Sequence, residues 1–306
     1  MPTFIARRLL QMIPVVIGAT FLIFTMVFAI GDPAVGRCGE RPCPPAYVER
    51  FRQEYNLDEP LPIQYALYLG RLVQGDLGTA FNGDPVAASL MSRWPTTIKL
   101  AIIALVFEAL IGIAAGIIAG IRRGPFIDHL IPVSSLVVIS IPVFVIGSLA
   151  QMLLGVRLQI FPVTSTNGTW WELLLPGLVL GSLSVAYIAR LMRGNLIENL
   201  HADYVRTARA KGLSQARTVG VHTLRNSLIS VITFIGYDVG ALMGGAIVTE
   251  RIFNINGIGG YLFRGISTKD GSMVVGTLTC LVLVYLLTNL IVDLMYGVLD
   301  PRISHD

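Results

Sequence analysis

Six apolar stretches set the rhythm of the chain: Leu9–Ile30, Leu100–Ile121, Ile131–Leu154, Leu173–Ala189, Leu228–Val248 and Val274–Val292. A helix crossing a bilayer takes roughly 20 predominantly apolar residues, with about 17 as the lower bound. The pattern therefore predicts an all-α membrane protein with six transmembrane helices. The fourth stretch is the shortest, and it runs on past Arg190 if that arginine snorkels or faces protein. Pro14, Pro132, Pro142 and Pro176 lie in or near the stretches. Membrane helices accept proline where neighbouring groups satisfy the freed carbonyls. The first stretch follows Arg7 and Arg8 in the manner of a secretion signal. It is longer than the roughly 7–15 residues of a signal's apolar region, and no A-x-A site follows before Gly31-Asp32-Pro33, so it reads as a retained helix.

The polar intervals divide the rest. Residues 31–97 form a long region after the first helix (1–30), and a core over 98–300 contains a polar loop at 193–227 and precedes a short tail, 301–306. Within the long region Val48, Phe51 and Tyr55 recur at helical spacing until Pro60 interrupts, and a second pattern through Tyr65, Leu69 and Leu72 ends near Gly75. Two short helices over the outer mouth of a bundle are expected; a solvated decorative loop is the alternative.

Composition agrees with a membrane class: 54% hydrophobic and 14% charged residues, against about 25% charged in soluble domains. The excess of 23 Lys+Arg over 19 Asp+Glu informs sidedness and does not suggest nucleic acid. Arg7 and Arg8, Arg122 and Arg123, and the group Arg193, Arg206, Arg209, Lys211, Arg217 and Arg225 fall on one side of a six-span topology. The positive-inside rule makes that side cytoplasmic, with both termini there. Cys38 and Cys43 lie in the external region, where a local disulfide and two free thiols are both open readings. Cys280 lies inside the last span as a buried thiol.

Catalytic motifs are missing. There is no Walker A phosphate loop, no HExxH, no G-x-S-x-G, and the histidines His129, His201, His222 and His305 are scattered. No metal site and no enzyme is predicted. Ionisable groups within the spans are stronger leads, because they are costly in lipid and face protein or a wet cavity. Glu108 lies in the second span, and Asp238 in the fifth near Gly240 and Gly244. Either they line a polar translocation path or they make interhelical hydrogen bonds.

The longest basic interruption is Asp203–Asn226. Asp203 is a good N-cap type, Val205, Ala208, Leu213 and Ala216 recur at helical spacing, Gly212 offers a stop, and Ser214 can cap a second short helix toward His222. Such a rigid knob suits docking into a partner's groove; an ordinary positive-inside loop explains the arginines alone.

DYVRTARAKGLS followed by HTLRN resembles the coupling-loop motif of ABC importer permeases, in particular their dipeptide/oligopeptide/nickel branch. RRLLQMIPV, QYALYLGRLVQGDLGTAF, RWPTTIKLA, ISIPVF, ERIFNINGIGGYL and NLIVDLMYGVLDPRI resemble the same branch in order and spacing. The general motif's Glu-Ala-Ala is Arg206-Thr207-Ala208 here, its Leu-Pro is Leu224-Arg225, and the CGERPC insert is unusual. The resemblance implies a type I ABC importer permease fold in a bacterial inner membrane. Its partners would be a second homologous permease, two ATP-binding cassette subunits carrying ATP and Mg, and an external substrate-binding protein; the chain itself would bind no cofactor. The ATPase-coupling residues would be Asp203, Tyr204, Val205, Arg206, Thr207, Ala208, Arg209, Ala210, Lys211, Gly212, Leu213 and Ser214, with His222, Leu224, Arg225 and Asn226. Val205 and Ala208 would lie in the ATPase groove. Short peptides are the expected cargo, with nickel, glutathione or a similar solute as alternatives, and an ion-gradient-driven carrier as the reading from another class.

Overall fold

Helices account for nearly all regular structure in the computed structural model, which describes residues 2–28, 44–46, 48–49, 52, 58–122 and 125–299. Cys38, Cys43 and most of the first expected external helix lie outside those residues. The helices are α1 (Pro2–Phe28), α2 (Leu61–Val73), α3 (Val86–Ile121), α4 (Pro125–Ser140), α5 (Val143–Ala150), α6 (Trp170–Leu200), α7 (Asp203–Ala210), α8 (Leu224–Ile252), α9 (Ile258–Ser267) and α10 (Gly271–Leu299). Wider turns of π-helix extend α5 over Gln151–Arg157 and lead into α8 over Thr218–Thr223. Among the described residues five helices are long and apolar enough to cross a membrane, six if the bent α4–α5 pair is one span. The protein is thus a helical, multi-pass membrane protein.

Two of the expected spans are corrected. The second was placed from Leu100, but α3 starts at Val86, because Val86 and Leu90 are buried in a cluster with Ile258, Tyr261 and Met273. The third was read as one run, but it breaks after Ser140 and turns by 89°. Pro142 stands there in an extended conformation as the N-cap of α5; a proline has no N–H to continue the ladder. The fourth span does run past Arg190, to Leu200.

The chain forms two compact units. In the unit made of Met1–Thr97 and Asn254–Asp306, α1 and α10 lie against each other, with Arg8 Nε 3.3 Å from Asp293 Oδ2 at one end. At the other, Phe24 and Val275 share a buried cluster with Tyr65 and Tyr68 of α2. The Tyr65 hydroxyl donates to Ile17 O at 2.8 Å, and Tyr68 meets Thr279 Oγ1 at 2.7 Å. Burial pushes the Tyr68 hydroxyl up to about 12, so it stays a neutral partner. Helix α2 therefore packs against α1 and α10, because its two tyrosines carry hydroxyls that need buried partners. Asp270 closes the N-terminus of α10, accepting from Met273 N at 3.0 Å and Phe81 N at 2.6 Å.

The other unit, Ile98–Phe253, is built on α6. On one side Gly112, Gly116 and Gly120 of α3 lie against Ile188, Met192 and Leu196 of α6, so close that a Cβ at Gly116 would stand 2.5 Å from Met192 Cβ. Small residues let membrane helices approach to this degree, where dispersion and not water drives association. On another side α6 runs antiparallel to α8. The Tyr187 and Phe234 rings stack at 4.5 Å, and Ser227 Oγ donates to Asn195 O at 3.3 Å. Thr169 caps the start of α6, accepting from Glu172 N at 3.3 Å, while Glu172 accepts from Asn167 N at 3.0 Å.

Candidate functional site

The polar segment between α6 and α8 is a helix, a sharp stop and a second start. Asp203 was expected as the N-cap; the cap position is Ala202, and Asp203 is the first helical residue, exposed and 3.6 Å from Arg206 Nη1. An aspartate there still complements the positive end of the helix dipole. Tyr204 donates its hydroxyl to Asn199 Oδ1 at 2.7 Å and Thr207 donates to Asp203 O at 3.0 Å. The stop is a Schellman motif: Gly212 at φ +80°, its N–H on Arg209 O at 2.9 Å, and Leu213 N on Ala208 O at 3.2 Å. That backbone region is left-handed, which glycine enters without a Cβ clash. Ser214 then accepts from Arg217 N at 3.4 Å, starting a single α turn, Gln215–Arg217, that widens into the π segment.

Burial divides α7 into two faces. Val205 is fully buried and Ala208 nearly so, on the side toward the π segment. Tyr204, Arg206, Thr207, Arg209, Ala210, Lys211 and Gly212 are exposed. Val205 and Ala208, expected in a partner's groove, are both covered by this chain's own packing. Burying a valine is worth about 1.5–3 kcal/mol, which fixes α7 to the chain and presents the opposite face. Leu224 is half-buried, Arg225 and Asn226 are exposed, and the His222 side chain lies outside the described residues. Anchors that sequence reading missed lie below: Thr223 Oγ1 donates to Thr218 O at 3.1 Å, and Ser227 Oγ to Thr223 O at 2.9 Å. Hydroxyls that return to their own helix's carbonyls leave no pattern in sequence.

Inside the spans, the structure brings Glu108 and Asp238 together with Ser184. Glu108 is fully buried, and its carboxyl lies beside that of Asp238 and the Ser184 hydroxyl, a cluster short of well-aligned donors. Gly240 is buried and Gly244 exposed on the same helix, with open space where a Cβ of Gly244 would stand. No group of three or more His, Cys, Asp or Glu able to hold a metal occurs among the described residues.

The amino-acid sequence has counterparts over its full length. Residues 112–305 match the family described as binding-protein-dependent transport system inner membrane component, and residues 1–101 match its N-terminal companion. The Di/tripeptide transport system permease protein DppB of Pseudomonas aeruginosa is 38% identical, over 100% of this chain and 99% of its own length. The Dipeptide transport system permease protein DppB of Escherichia coli is 36% identical over 99% and 98%. Its counterpart from Alkalihalophilus pseudofirmus is 35% identical over 98% of each. With both family regions matched and relatives aligned end to end, the chain belongs to the inner membrane components of binding-protein-dependent transport systems, the ABC importer permeases.

Proposed function

We propose that this chain is one of two homologous permeases in an ATP-driven importer of short peptides. The observation that carries the reading is end-to-end similarity to permeases described as di/tripeptide and dipeptide transporters. Those descriptions favour peptides over nickel or glutathione. The chain sits in a bacterial inner membrane with six spans, counting α4–α5 as one, and both termini cytoplasmic; the placement of arginines supports that topology. An external binding protein delivers the peptide, and two ATPase subunits holding ATP and Mg supply the work.

Coupling is conformational. ATP binding alters the ATPase pair, whose groove holds the exposed face of α7, and the differential contacts made in each state shift an inward/outward equilibrium. The Schellman stop at Gly212 and the Val205–Ala208 packing support this reading, because a handle has to be stiff to pass on a displacement. The carboxyls at Glu108 and Asp238 are a feature an ion-coupled carrier also needs, so the energy source is the point to test. The complete complex in proteoliposomes should accumulate a labelled tripeptide only with ATP and the binding protein, and should ignore a protonophore. Accumulation without ATP that collapses with the proton gradient would replace this proposal with a secondary carrier.

A further inference from the structure

Helices α6 and α8 pair in a constant antiparallel register. Ser184 and Asp238 share a level through Glu108, Tyr187 stacks on Phe234 one turn on, and Asn195 meets Ser227 further along. Arg190 falls within this ladder, with its guanidinium carbon 5.4 Å from the Tyr187 ring centroid. Among the described residues it has no carboxylate in ion-pair distance, and it lies twenty residues into the 31-residue α6, at the start of its polar end. Twenty residues of helix cover about 30 Å, the thickness of a hydrocarbon core, so Arg190 stands where the apolar run Leu173–Ala189 ends.

We infer that this ladder is a binding site for the two charged ends of a zwitterionic di- or tripeptide, a reading that rests on the peptide-importer proposal. Glu108 and Asp238 gather buried carboxyl oxygens around Ser184 with few donors to serve them; a terminal ammonium brings three N–H donors. Arg190 supplies the planar fork that takes a terminal carboxylate in a bidentate fashion. From the Ser184 level to Arg190 is six residues of α6, about 9 Å at the α-helical rise. An extended dipeptide spans roughly 7 Å and a tripeptide about 10 Å. Tyr187 and Phe234, stacked between the charged ends, offer an aromatic surface to the side chains; Tyr187 is 43% exposed.

The test uses the whole complex with saturating, peptide-loaded binding protein, so that capture outside is not limiting. For a free tripeptide, R190Q should lower the maximal uptake rate at least tenfold, while R190K retains most of it. For the C-terminally amidated tripeptide, provided the binding protein delivers it, the wild type and R190Q should differ less than threefold. D238N should show the mirror pattern with an N-acetylated peptide. Equal loss for free and amidated peptides would make Arg190 structural, and unchanged rates would leave it snorkelling to lipid; each result overturns the inference. A wild-type complex that moves no peptide at all would instead overturn the proposed function.

Discussion

Ala208 and Ala210 differ only in position, yet one is nearly sealed and the other open. The helical spacing of small and apolar residues along 203–216 was legible in the sequence, and so were the Gly212 stop and the Ser214 cap. Which face serves the chain's own packing was not, since an alanine against an intramolecular neighbour and one against a partner leave the same hydrophobic signature. Under the proposed function the exposed side is the one that meets the partner. With a cysteine-carrying ATPase groove, A210C should form the intersubunit cross-link and A208C should not. The reverse labelling would restore the original assignment. Asp238 gives a second case: its depth in a span was readable, whereas its pairing with Glu108 depends on how two distant helices meet.

At the level of elements, glycine spacing determines how closely α3 lies on α6. G116V would drive a branched side chain into Met192 and the Ala189 carbonyl, where a Cβ alone would stand 2.5 Å and 2.7 Å away. Overpacking of that kind costs about 1–3 kcal/mol, so the melting temperature of the detergent-solubilised complex should fall. Gly194, on the same α6 but with no heavy atom within 4 Å of a Cβ, is the control. G194A should hold or raise the melting temperature, since alanine is favoured over glycine in a helix by roughly 0.5–1 kcal/mol. A larger loss at 194 than at 116 would contradict the packing. Apolar length predicted the existence of these helices well, but it is insensitive to geometry. The 89° break at Pro142 sits within a stretch long enough and apolar enough to read as one span, and α3 starts early because its first turns have a core to bury.

For the whole molecule, fold class and family were open to sequence reading, because membrane spans are set by length and hydropathy and the polar loop by its motif. The position of α2 was not, since it rests on tyrosine hydroxyls finding Ile17 and Thr279. Six spans with cytoplasmic termini predict that S304C, in right-side-out vesicles, reacts with a permeant maleimide and resists an impermeant one. The central claim is that α7 passes motion between the permease and its ATPase subunits, and substrate-stimulated ATP hydrolysis by the reconstituted complex reports on it most directly. G212D places a Cβ in left-handed backbone, at about 1–2 kcal/mol, and a negative charge directly after Lys211. The complex should still insert and assemble but lose stimulation by loaded binding protein; stimulation at the wild-type level in that variant would contradict the account.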